Sequence, residues 1–181
     1  MLDLYYFTKG EADKILRSMV VLIDTREQKN DHIVEYLKKK NISYETRALP
    51  AGDYSVMIPK NEDIGIVRNI YLNIARADGI IIERKNSLEE LAGNLGTNRD
   101  RFENELEKMK GAEKHLIVEG GSWRDIFKGQ YNSNVTTSSY KGSLFAFQCR
   151  YGLHIHFTDR EISPQLIVEI LGRKVKEIIH I

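Results

Sequence analysis

The sequence predicts an α/β fold, a mixed central sheet flanked by helices, and three observations lead there. Short apolar runs of strand length occur at VVLID (20–24), GIIIERK (79–85) and HLIVE (115–119), as expected of strands buried on both faces. Stretches with helical spacing of apolar residues separate them, which suits helices covering a sheet. The strand-like segments 42–49 and 54–58 flank Pro50-Ala-Gly-Asp53, a turn, and this β-turn-β unit makes the sheet mixed instead of purely parallel.

Along the chain, residues 10–18 suit a short helix before the first strand. Asp31–Lys40 places Ile33, Val34 and Leu37 on one helical side. Residues 59–76 are irregular, a loop or an extended hairpin tip. After GIIIERK, Ser87-Leu-Glu-Glu90 has the form of a capping box, and Leu88, Leu91 and Leu95 follow on one face. Thr97 is the predicted cap of a further helix with Phe102, Leu106 and Met109 inward. Ser122–Phe127 reads as helix, Gln130–Ser139 as a polar loop, Tyr140–Arg150 as helix and Leu153–Phe157 as an alternating strand. Ser163-Pro164, with proline at the first helical position, opens a last helix. Residues 1–19 read as an N-terminal extension and 20–181 as a single domain.

With 181 residues, 41% hydrophobic and 29% charged, the chain suits one globular domain with a real core. No apolar run approaches the roughly 20 residues of a membrane span. No basic region followed by an apolar one marks a secretory signal, so an intracellular location is expected. The single cysteine, Cys149, excludes an intrachain disulfide and a cysteine-based zinc framework; in LFAFQCRYG it reads as a small buried hydrophobe. The net charge of +1 gives no global attraction to nucleic acid, so any such contact must come from a local basic patch.

Three acids stand at or beyond the ends of apolar strands: Asp24, Asp53 and Glu83. An acid so placed projects into a cleft while its strand is anchored in the core. Glu83 and Lys85 lie two apart on a strand and share a face, while Arg84 points the other way. Carboxylates beside a lysine suit a hard cation such as Mg²⁺, which prefers oxygen ligands and keeps several waters. Such an ion activates water against a phosphodiester and neutralises phosphate charge. Lys85 could position the water, deprotonate it or stabilise the transition state.

Asp24-Thr-Arg-Glu27, Leu49-Pro-Ala-Gly-Asp53-Tyr54 and Ile82-Glu83-Arg84-Lys85 resemble the successive motifs of the XPF-type nucleases, a branch of the PD-(D/E)XK superfamily. Arg101-Phe-Glu-Asn-Glu105 is similar to the arginine-bearing helix that follows the signature, and His115–Glu119 to the next core strand; the core motifs span 20–119. The resemblance implies a restriction-endonuclease-like core and Mg²⁺- or Mn²⁺-dependent cleavage of DNA near flaps, forks or other junctions. It implies that Asp24, Asp53 and Glu83 are metal ligands or their close supports, that Lys85 is the catalytic lysine, and that Glu27, Arg26 and Arg84 line the site. Where the signature has a final Asp, this sequence has Glu89, and no helix-hairpin-helix glycine pattern follows Glu119.

Arg26, Arg84, Arg99 and Arg101 are the expected phosphate contacts, although Arg99 and Arg101 could equally pair along their helix with Glu103 or Glu105. His154 and His156 share one face of LHIHF, either as an exposed sheet face or as metal ligands. Pairing in this family implies a homodimer or a partner, with the apolar surface of 140–181, including LFAF and the last helix, as its place. Two other classes are carried beside the nuclease: a catalytically weak DNA-binding or scaffold protein, against which the intact Asp53/Glu83/Lys85 set argues, and a nuclease acting on RNA.

Overall fold

The computed structural model describes residues 7–179. Within it, one sheet of seven strands is assembled from β1 (Val20–Asp24), β2 (Ser43–Arg47), β3 (Tyr54–Ile58), β4 (Ile70–Tyr71), β5 (Ile80–Lys85), β6 (Glu113–Glu119) and β7 (Leu153–Thr158). The order is β2-β1-β3-β5-β6-β7, with β4 paired to β3. β1 runs parallel to β2, and β5, β6 and β7 run parallel to one another, while β3 is antiparallel to both β1 and β5. The sheet is mixed, as the sequence predicts. The turn at 50–53 does not close a hairpin, however: β1 is inserted between β2 and β3.

The helices are α1 (Lys9–Ser18), α2 (Asp31–Lys39), α3 (Leu88–Leu95), α4 (Arg99–Lys108), α5 (Trp123–Lys128), α6 (Thr137–Tyr151) and α7 (Ser163–Ile179). They divide between the two faces of the sheet. Ala12 and Ile15 of α1, Ile33 and Leu37 of α2, and Ile167, Leu171 and Val175 of α7 pack with Ile23, Val56, Ile80 and Ile82. On the other face Leu91, Phe102, Ile126, Leu144 and Phe147, from α3 to α6, pack on Leu116, Val118 and Leu153. The alternation of β5 therefore sends Glu83 and Lys85 toward α3 and α4, and Arg84 toward α2 and α7.

Several sequence readings change. Helix α1, read as part of an extension, contributes buried residues to the main core. α6 begins earlier than Tyr140, because Thr136 caps it by accepting the Ser139 N–H. Asn98, not Thr97, holds the capping position of α4, with no side-chain capping bond. Cys149 is exposed, not buried. The inward stripe of α6 is Tyr140, Ser143, Leu144 and Phe147, and Cys149 falls outside that spacing. The apolar face of α7 is spent on the sheet, with Leu166, Ile170 and Ile178 half-buried against the same core. Residues 59–76 include a 3₁₀ turn (Glu62–Ile64) and β4.

His154 and His156 face α7's side of the sheet and stack with His115 of β6, with ring centroids 5.0 and 5.2 Å away. His115 Nδ1 meets His156 Nε2 at 2.9 Å and its Nε2 meets Glu113 Oε1 at 2.8 Å. Burial pushes His115 down to about 4, against the pull of Glu113 and reinforced by His156 and His154. The unfolded chain then takes up a proton at a higher pH than the folded one, so stability falls as pH drops from about 6.5 toward 4. Thermal melts across this window should show that loss, and His115→Gln should flatten it; an equally steep loss in the variant would contradict the assignment.

Candidate active site

The site grows from the turn before β3. Gly52 has φ +74°, and a Cβ there would lie 3.1 Å from Ile81 Cβ and 3.2 Å from the Ile82 carbonyl oxygen, so only glycine lets the turn lie against β5. The next residue is tied on both sides: the Asp53 N–H donates to the Ile82 carbonyl (2.9 Å), and the Asp53 carbonyl accepts the Asp24 N–H (2.8 Å). Its carboxylate Oδ2 accepts the Arg84 backbone N–H at 2.7 Å.

Asp53 opens into a cleft of about 390 Å³ shared with Arg26, Glu27, Glu83, Lys85, Glu90, Asn94, Asn98, Arg101, Phe102 and Glu105. Burial pushes the Asp53 carboxyl well above its ordinary range, and the Glu83 charge adds to this, against the Arg84 N–H and Lys85. Lys85 Nζ lies 2.7 Å from Glu83 Oε1 and 3.8 Å from Glu90 Oε1, with the Phe102 ring centroid 5.8 Å away. Burial alone would lower the Lys85 pKa, but Glu83, Asp53 and Glu90 raise it, so the amine stays an ammonium.

Of the residues singled out in the sequence, Asp53, Glu83, Arg84, Lys85, Glu27, Arg26 and Arg101 line this cleft. Asp24 does not line it. Its Oδ1 accepts the Arg26 N–H (2.8 Å) and Nε–H (2.6 Å), and its Oδ2 the Leu49 N–H (2.7 Å), so the buried carboxylate braces the turn and Arg26. Arg84 turns its guanidinium away and is closed to phosphate: the side chain is 0% exposed, between Glu27 (2.8 Å) and Glu119 (2.9 Å). Arg99 makes its helical pair with Glu103 (2.8 Å) and a bond to Ser143 Oγ (2.8 Å), outside the cleft lining.

Glu90, Asn94, Asn98 and Glu105 are cleft residues that the sequence did not single out for chemistry. For Glu90 a signal existed. Ser87 Oγ accepts the Glu90 N–H (3.2 Å), as a helix cap should, but the Glu90 carboxylate reaches Asn86 N–H (3.0 Å) instead of the Ser87 N–H of a capping box. That one-residue offset leaves it beside Lys85. Glu89, which stands where the signature has its last acid, accepts the Asn132 N–H (2.9 Å) instead.

Among the described residues, no three carboxylate, histidine or cysteine side chains converge as a ready ligand set. Asp53 and Glu83 are two oxygen donors that repel each other in one cleft, and Mg²⁺ is commonly held by one or two carboxylates plus water. The donor chemistry therefore fits a hard divalent cation on two acids, with Glu27 near by, and not the three-acid set with Asp24.

Residues 23–168 match the ERCC4 domain model. The chain belongs to the ERCC4 domain family. XPF from Aeropyrum pernix shares this fold at 22% identity, with a TM-score of 0.56 over 84% of this chain and 59% of that one. A structure of XPF from Aeropyrum pernix in complex with DNA aligns at 22% identity with a TM-score of 0.59, covering 87% of this chain and 65% of that one. This ERCC4-domain chain thus spans about three-fifths of the length of the structures it matches. No curated protein shows a significant sequence match. Among the described residues no helix is long and apolar enough to cross a membrane.

A carboxyl whose pKa rises on folding detracts from stability when ionised, because the folded state holds the proton more tightly than the unfolded one. In metal-free buffer at neutral pH, Asp53→Asn should therefore raise the melting temperature, at about 2–4 °C per kcal/mol gained. Mg²⁺ should raise the melting temperature of the wild type and not of the variant. A variant that melts lower than the wild type would refute strain at Asp53.

Proposed function

We propose that this ERCC4-domain chain is a Mg²⁺- or Mn²⁺-dependent endonuclease that hydrolyses phosphodiester bonds in DNA. One observation carries the reading: Asp53, Glu83 and Lys85 share one cleft at the end of β5, with Lys85 Nζ 2.7 Å from Glu83 Oε1. A divalent cation on Asp53 and Glu83 would supply Lewis-acid stabilisation of the phosphate and a more acidic water. The Lys85 amine, held 2.7 Å from Glu83 Oε1, is placed to donate to phosphate oxygens as negative charge builds. Exposed Arg101 and half-exposed Arg26 stand on the lining and offer guanidinium groups to neighbouring phosphates. Similarity to an XPF bound to DNA supports DNA as substrate, and the family resemblance favours branched or junction-containing forms.

We propose further that two copies pair. Phe127 and Phe145 are 54% and 48% exposed. The Trp123 ring stacks on Phe145 at 5.3 Å and meets Phe157 edge-on at 5.2 Å, which makes a continuous aromatic surface from α5, α6 and β7. Aromatic residues of this kind are typical interface anchors. LFAF thus remains the candidate surface, through Phe145, while α7 is occupied within the fold.

Cleavage of labelled duplex, flap, fork and single-stranded DNA with Mg²⁺ should be abolished by EDTA. It should fall by about 10²–10³ in Glu83→Gln and in Lys85→Ala, with the fold retained. Full cutting in EDTA would overturn the metal-dependent reading, and cutting of RNA alone would move the substrate. Light scattering at micromolar concentration should give about twice the 20.9 kDa of one chain, and Phe145→Glu should return it to the monomer; a fully active monomer would end the pairing proposal.

A further inference from the structure

Behind β5, on the face away from the cleft, a second cluster of polar groups is sealed into the fold. Its centre is Glu119, the last residue of β6, which is 2% exposed. Glu119 Oε2 accepts from Arg84 at 2.9 Å. Its Oε1 accepts from Ser163 Oγ at 2.5 Å and lies 2.8 Å from His32 Nε2. Ser163 opens α7 and His32 lies in the first turn of α2, so three separate elements meet on one carboxylate. This is not a nucleophile triad. The Ser163 hydroxyl is 0% exposed and donates its hydrogen bond to the carboxylate, leaving nothing for a substrate to meet.

We infer that Ser163 and His32 are positioning residues for the active site, acting through Glu119 and Arg84. The inference rests on the nuclease reading above. A carboxylate with two buried oxygens keeps its orientation only while both are satisfied, and Ser163 and His32 satisfy the one that Arg84 does not. Held in this way, Glu119 fixes one arm of the Arg84 guanidinium. The other arm holds Glu27 Oε1 (2.8 Å) and the Lys29 carbonyl (2.7 Å). Through its own backbone N–H, Arg84 then holds Asp53 Oδ2. A chain of direct hydrogen bonds runs from α7 and α2, behind the sheet, to both Glu27 and Asp53 in front. Partners of this kind fix the angle at which a carboxylate meets a cation.

The test uses Ser163→Ala, His32→Ala, the double variant and His32→Gln, whose amide can donate from the position of Nε2. Melting curves first establish a temperature at which each is folded. Mg²⁺ affinity by calorimetry and kcat and KM on a DNA substrate are then measured, together with hydrogen exchange of the Arg84 amide. In the double variant, Mg²⁺ affinity and kcat should each fall about tenfold or more. KM for DNA should stay unchanged, because Arg26 and Arg101 are untouched. The Arg84 amide should exchange faster, and His32→Gln should recover most of the His32→Ala loss. If the double variant does not fold, the same pattern is expected, in smaller measure, in Ser163→Ala. Folded variants with wild-type Mg²⁺ affinity, kcat and amide exchange would overturn the inference. A wild type that neither binds Mg²⁺ nor cuts DNA would overturn the nuclease reading instead, and amide exchange would still decide the positioning.

Discussion

The cleft depends on how Asp53 is held. Its backbone joins the end of β1 to the middle of β5, and these strands belong to two parallel blocks that β3 connects. The sheet's two halves are thus pinned together at the residue whose carboxylate faces the cleft. The position is electrostatically unfavourable without a counter-charge, because burial and Glu83 both resist ionisation of Asp53. Proteins tolerate such strain when the surrounding structure over-determines it. Here that means the Gly52 turn, the two backbone hydrogen bonds and the Arg84 N–H.

The alternation of β5 then separates chemistry from support. Glu83 and Lys85 face α3 and α4 with the cleft, whereas Arg84 faces α2 and α7. A guanidinium with no exposure would be prohibitively costly alone. With Glu27 and Glu119 as partners it becomes a strut, and removing one partner of such a buried pair typically costs about 3–5 kcal/mol. Arg84 therefore serves the site by what it holds. The same division leaves Arg26 and Arg101 as the arginines whose side chains are exposed on the cleft lining, a local patch in a chain of net charge +1.

Membership of the ERCC4 domain family sits with a fold kept at 22% identity to the aligned structures. In this chain the centre is built locally, by a glycine pressed against β5, an acid on the next residue and a period-2 strand ending in Glu-Arg-Lys, and the helices beyond it present apolar faces to the sheet.

From the sequence alone came the layer architecture, every strand but β4, and the shared face of Glu83 and Lys85. All of these follow from local periodicity and from which residues a turn will accept. The stripe of α7, which the sequence offered as a pairing surface, is taken up in covering the sheet. Only the tertiary structure decided that β1 lies between β2 and β3, that Asp24 is taken up by Leu49 and Arg26, and that Glu90, not Glu89, turns to Lys85. Only it brought His32, Glu119 and Ser163 together, residues 87 and 131 positions apart along the chain. The physical reason is common to all of these. A side chain's partner is chosen by whichever donor or acceptor the fold brings within hydrogen-bonding distance, and strand order and helix docking bring together groups that no periodicity relates.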